Sequence, residues 1–73
     1  MSDAPKMVYL GAKAQRLRVL EGLTLVALAD LVNTSAMTIR RAETGESTPG
    51  PATVVAIAEA LGVNVAELYK DAS

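Results

Sequence analysis

Apolar residues recur at intervals of three or four along most of the chain, the spacing that places side chains on one face of an α-helix. The first set is Leu10, Ala14, Leu17 and Leu20, and Gly22 follows as a natural stop. This pattern predicts a first helix that begins at Leu10 and ends before Gly22.

Residues 24–45 predict two short helices joined by a tight turn. Thr24 and Ser35 are residues that cap helices, and Asn33 suits the left-handed position that ends one. The residues expected to face inward are Leu28, Ala29 and Val32 in the second helix and Ile39 and Ala42 in the third. A connection of about three residues is what a helix-turn-helix requires.

The remainder of the chain predicts a loop and two further helices. The loop spans residues 44–51 and is rich in glycine and proline. The fourth helix carries an apolar stripe and stops at Gly62; the stripe is Val54, Ile57, Ala58 and Leu61. Residues 64–67 form a capping box that opens a short fifth helix through Leu68 and Tyr69.

No segment alternates over enough residues to predict a strand. Residues 1–9 lack helical periodicity, and we interpret them as a flexible arm with some order at Met7–Tyr9. Residues 10–73 form the single domain that a chain of 73 residues allows.

Composition narrows the possible functions. The chain has no cysteine and no histidine, which excludes disulfides and the usual zinc sites. Its acidic residues are scattered and no glycine-rich phosphate loop is present, so we expect no enzyme, no metal and no cofactor. The layout of a secretory or membrane segment is also missing, and the expected location is cytoplasmic.

The charge is unevenly distributed. The formal net charge is −1, but residues 1–41 carry six positive and three negative side chains, whereas residues 42–73 carry one positive and five negative. The halves are therefore +3 and −4. This polarity would let one face meet phosphate while another avoids it, although a chance division gives the same counts.

The third helix carries the candidate chemistry. Ala36, Met37, Arg40 and Arg41 are related by three- and four-residue steps and share one side. Arginine makes bidentate contacts with guanine O6 and N7, and alanine or methionine covers a thymine methyl group. The alternative is a solvated helix face, which two arginines alone would favour.

Several short motifs in order resemble the Cro/C1-type phage repressor helix-turn-helix family. They are Leu28-Ala29, Asn33-Thr34-Ser35, Ile39, Glu43-Thr44-Gly45, the loop proline Pro49 and the stretch from Ala60 to Leu68. The resemblance covers roughly residues 12–69. It implies an all-α, compact five-helix lambda-repressor-like domain, with helices 2 and 3 as the helix-turn-helix. It also implies a repressor or autoregulating control protein that binds double-stranded operator DNA as a homodimer.

The resemblance also implies roles for individual residues. The base-reading positions are Ala36, Met37 and Arg41, with Arg40 beside them. The predicted phosphate contacts are Lys13, Arg16, Thr24, Leu25, Ser35, Thr38 and Thr44, with the backbone amide acting at Leu25. Arg18 and Glu43 would form a brace that fixes the pitch of helix 3, or else a partly exposed ion pair worth roughly 0–1 kcal/mol.

Two features leave alternatives open. Leu25 stands where the family usually has a glutamine that contacts phosphate, and Leu25, Val26 and Leu31 are apolar where the pattern is mostly polar. They are either scattered surface residues or a contact for a protein partner, as in an antitoxin-like or anti-regulator module with weak or no DNA binding. The predicted dimer contacts are Val63, Val65, Leu68 and Tyr69, although Val63 and Leu68 are better explained as cover for the monomer's own core.

Overall fold

A computed structural model describes residues 6–72. Its elements, in chain order, are strand β1 (Met7–Tyr9), helices α1 (Gly11–Leu20), α2 (Leu25–Leu31), α3 (Ala36–Thr44) and α4 (Pro51–Leu61), a 3₁₀ helix (Val65–Leu68) and strand β2 (Tyr69–Asp71). None of the described helices is long and apolar enough to cross a membrane.

The turn between α2 and α3 forms as the sequence predicts. The Thr24 hydroxyl accepts a hydrogen bond from the Ala27 amide at 3.0 Å, and the Ser35 hydroxyl accepts one from the Thr38 amide at 3.1 Å. Asn33 adopts φ 58°, the left-handed conformation that reverses the chain. Two caps and one left-handed residue therefore fix the relation between the two helices.

The core lies between the four helices and the 3₁₀ helix. Its fully buried large side chains are Leu28, Ile39, Val54, Ile57 and Leu68. The α4 stripe predicted from the sequence is buried at all four positions, and Gly62 ends the helix at φ 70°. The inward residues predicted for α3 are also buried, as are Leu28 and Ala29 of α2, whereas Val32 is half-buried.

The fifth helix of the prediction is a single 3₁₀ turn, so the described fold has four α-helices and not five. Its capping box is present: the main-chain amide of Asn64 donates to the Glu67 carboxylate at 3.0 Å. The turn cannot extend because the chain becomes a strand at Tyr69. Leu68, the last residue of the turn, is fully buried.

A two-stranded antiparallel ribbon corrects the all-α expectation. Strands β1 and β2 pair with Met7 opposite Asp71, Val8 opposite Lys70 and Tyr9 opposite Tyr69. The rings of Tyr9 and Tyr69 meet edge to face, with centroids 6.1 Å apart. Met7–Tyr9 is therefore part of the folded domain and not of an arm, while residues 1–5 of the predicted arm lie outside the described residues.

Candidate nucleic-acid interface

One face of α3 is exposed along its whole length. It carries Met37, which is 54% exposed, together with Arg40, Arg41 and Thr44. Ile39, Ala42 and Glu43 are buried on the opposite face. The described helix therefore presents an apolar side chain near its start and two arginines in its second half.

Ala36 departs from the predicted stripe. It is half-buried and packs against the core. Helical spacing places Ala36 close in angle to Arg40, at the margin between the exposed and buried faces. Three of the four positions predicted for base reading are therefore exposed, namely Met37, Arg40 and Arg41. Thr44 is exposed on the same face.

The exposed face of α3 is positively charged. Glu43 is the only acidic residue of this helix, and it is turned into the protein, where it pairs with Arg18. Within residues 6–72, Arg40 and Arg41 form no ion pair. Two cations without an ion-pair partner therefore lie on one accessible surface, where they would attract an anionic partner.

The Arg18–Glu43 pair is buried and bidentate. Arg18 Nε donates to Glu43 Oε2 at 2.7 Å, and an η-nitrogen donates to Oε1 at 3.1 Å. The other η-nitrogen donates to the Leu23 carbonyl at 2.6 Å. Only 9% and 4% of the two side chains are exposed, so the interpretation as a partly exposed pair is wrong. The contacts tie α1, the loop before α2 and the end of α3 together.

The predicted phosphate contacts occupy several elements. Arg16 is exposed on α1 and Lys13 is half-buried there. The Thr24 hydroxyl already caps α2, and the Ser35 and Thr38 hydroxyls lie 2.9 Å apart at the start of α3. The phosphate role of these residues stays a prediction.

Thr44 has a local environment that opposes phosphate. Its hydroxyl lies 3.3 Å from the Arg41 carbonyl and 3.3 Å from a Glu46 carboxylate oxygen, both of which are acceptors. A phosphate at this position would approach that carboxylate. The electrostatics therefore favour Arg40 and Arg41 over Thr44 as contacts.

The apolar residues of α2 divide into two kinds. Leu25 is half-buried and packs against the core, which explains why it is apolar. Val26 and Leu31 are 60% and 62% exposed. Only these two remain as surface apolar residues of the α2 set.

Most of the predicted dimer contacts pack against the core of the chain itself. Leu68 is fully buried in the core and cannot be a dimer contact, while Val63, Val65 and Tyr69 are half-buried against the core. Tyr69 also packs on Tyr9, whose pKa is raised to about 12 by burial, by the charge of Glu43 and by Tyr69. The sequence does not predict that Tyr9 packs against Tyr69, because the two residues are remote in the chain.

The profile of the helix-turn-helix family matches residues 15–68, which is well over half of the chain. The chain belongs to the Cro/C1-type helix-turn-helix family. The prediction made from the short motifs is confirmed.

Solved structures agree with this assignment. The clp gene regulator ClgR from Corynebacterium glutamicum is 29% identical with a TM-score of 0.77, over 81% of this chain and 63% of that one. The chain thus spans less than two thirds of ClgR. The restriction-modification controller protein C.AhdI from Aeromonas hydrophila is 25% identical with a TM-score of 0.77, over 81% and 89% of the two chains. The P22 c2 repressor, solved with a synthetic operator, is 23% identical with a TM-score of 0.79 over 84% and 92%, and shows the fold alone. No curated protein matches the chain at significant similarity.

Proposed function

We propose that the chain is a DNA-binding transcriptional regulator that reads an operator with α3 in the major groove. The observation that carries this proposal is the exposed face of α3, where Met37, Arg40 and Arg41 are accessible while the helix's one acid is buried. ClgR is a gene regulator and C.AhdI is a controller protein, which supports the same role here.

The side chains on α3 suit direct readout of bases. Arg40 and Arg41 have the planar fork that binds guanine O6 and N7, and Met37 offers an apolar surface to a thymine methyl group. A good bidentate contact discriminates against the wrong base by about 1–3 kcal/mol. Arg16 and Lys13 on α1 would add phosphate contacts, which give affinity and register without sequence preference.

The proposal includes a homodimer, which is the arrangement that the family resemblance implies. A dimer would present two α3 helices to the DNA and would read more base pairs than one helix does. Two copies related by a two-fold axis would place their α3 helices about 34 Å apart and read an inverted repeat with half-sites one helical turn apart. We propose this arrangement for a repressor or an autoregulating control protein, and sedimentation at micromolar concentration tests its stoichiometry.

A randomised-site selection at two salt concentrations tests the proposal, with two arginine variants as a matched pair. Arg41→Ala should cost about 1–3 kcal/mol on the best site and relax preference at one base position. Arg16→Ala should weaken binding similarly on all sequences and lower the salt slope by about one. Equal site preferences for wild type and Arg41→Ala would remove base reading by this residue.

Exposed apolar residues favour one alternative, a protein-interaction module on the same fold. Val26 and Leu31 are accessible on α2, and the overall charge is negative. Such a module would not bind a genomic fragment pool at low salt, or would bind it with an affinity that salt leaves unchanged. A regulator that contacts several phosphates loses affinity steeply as salt rises.

A further inference from the structure

The first residue of α1 touches the backbone at the end of α3. Gly11 is buried, and the space that a Cβ atom would occupy there is filled by the Ala42 carbonyl oxygen. The Glu43 carbonyl oxygen lies 2.9 Å from the same point. By contrast, a Cβ atom at Gly50 would meet nothing within 4 Å.

Space, and not backbone conformation, is what requires glycine at this position. Gly11 is not among the positive-φ residues, unlike Gly22, Gly45 and Gly62. An alanine would therefore adopt the backbone angles of Gly11 without strain. Its methyl group would strike two main-chain oxygens, which cannot turn aside as a flexible side chain can.

The contact joins helix ends of opposite polarity. α1 has no side-chain cap and no acidic residue in its first turn, so the partial positive charge at its start has no side-chain partner. The carbonyl oxygens at the end of α3 carry the opposite partial charge. The Leu10 amide donates to the Leu68 carbonyl at 2.8 Å, which anchors the start of α1 from the 3₁₀ helix. Because its start is anchored there, α1 can act as a fixed support for α3.

We propose that Gly11 is a positioning residue for DNA reading, a role that rests on the proposed function. Ala42 and Glu43 directly follow Arg40 and Arg41 in α3, so any displacement of their carbonyl groups moves both arginines. The closeness permitted by glycine sets how far this half of α3 stands out from α1. A methyl group there would displace α3 by about 1 Å, more than the roughly 0.5 Å that a binding site tolerates.

The test compares Gly11→Ala with Gly50→Ala, the same substitution where there is room, and with Ile57→Val, which weakens the core of α4. Affinities for the selected operator and for unrelated DNA are measured where circular dichroism shows each variant to be folded. We expect Gly11→Ala to lose about tenfold in operator affinity. The affinity of Gly11→Ala for unrelated DNA should stay within about twofold of wild type. In both control variants, the ratio of operator affinity to unrelated-DNA affinity should also stay within about twofold of wild type.

A readout without DNA separates this inference from the proposed function. Residual dipolar couplings report the orientation of α3 relative to α1 in wild type and Gly11→Ala. The positioning role is overturned if α3 has the same orientation in Gly11→Ala as in wild type. It is also overturned if the wild type binds its operator and Gly11→Ala has the same ratio of operator affinity to unrelated-DNA affinity. A wild type that binds no operator refutes the proposed function, and the couplings then decide the positioning of α3. A Gly11→Ala variant that stays unfolded even in a stabilising osmolyte assigns Gly11 to folding and overturns the inference.

Discussion

Replacing the buried pair of Arg18 and Glu43 by apolar residues tests how α3 is held. Arg18→Met or Glu43→Leu alone should each destabilise the domain by about 3–5 kcal/mol, because each leaves a buried charge without its partner. The double variant should regain most of that loss, since two apolar side chains of similar size leave no charge in the interior.

The structure sets the scale of this effect. Arg18→Met removes both donors from a carboxylate that is only 4% exposed and leaves the Leu23 carbonyl without its guanidinium partner. Glu43→Leu leaves the guanidinium with the Leu23 carbonyl as its remaining partner among these contacts. A chain of 73 residues has a free energy of unfolding of roughly 4–11 kcal/mol. Either single variant therefore loses much of the domain's free energy of unfolding. The less stable of the two variants is studied at low temperature.

Urea unfolding followed by far-ultraviolet circular dichroism gives the four free energies of a double-mutant cycle. We expect a coupling energy above about 2 kcal/mol, which reflects burial and bidentate geometry. A coupling below about 1 kcal/mol, the range of exposed pairs, would refute the reasoning. It would mean that solvent reaches the pair in the folded protein.

Two further predictions concern charge. The pKa of Tyr9 is raised to about 12, chiefly by burial and then by Glu43 and Tyr69, so its neutral phenol contributes stability that is complete below pH 10 and is lost as the pH rises to about 12. The urea midpoint should fall over this interval more for wild type than for Tyr9→Phe, and parallel curves would contradict the assignment. Glu46→Gln removes the carboxylate beside α3 and should raise affinity for any DNA by about two- to fivefold at low salt, with Glu59→Gln on α4 as the matched control. Equal effects of the two variants would show that only net charge matters.

The turn between α2 and α3 could be predicted from the sequence because its causes are local. Thr24 and Ser35 bond to amides three residues ahead, and Asn33 adopts its left-handed conformation within the same few residues. Each signal is complete within one turn of helix. The α4 stripe could be predicted for the same reason, since helical spacing alone selects its buried face.

The ribbon and the contact at Gly11 could not be predicted, because their causes are remote in sequence. Strands of three residues are too short to show alternation, and β1 meets β2 only once the two ends of the chain come together. Gly11 is a lone glycine at the start of a helical pattern, a weak sign of close packing that does not identify the partner. The sequence pattern also misplaces Ala36. Helical spacing identifies the exposed face of α3, but it does not show that Ala36, at the edge of that face, packs against the core.

The negative net charge carries little weight against DNA binding once the charges are placed. At physiological salt an exposed charge acts over about 8 Å, so phosphates near α3 respond to the local face and not to the whole chain. On that face Arg40 and Arg41 are accessible, while Glu43 is neutralised inside by Arg18. Glu46 is an acid that lies beside this face, as its 3.3 Å contact with Thr44 shows. Residues turned inward can therefore set the balance of charge that an operator meets as much as residues on the surface.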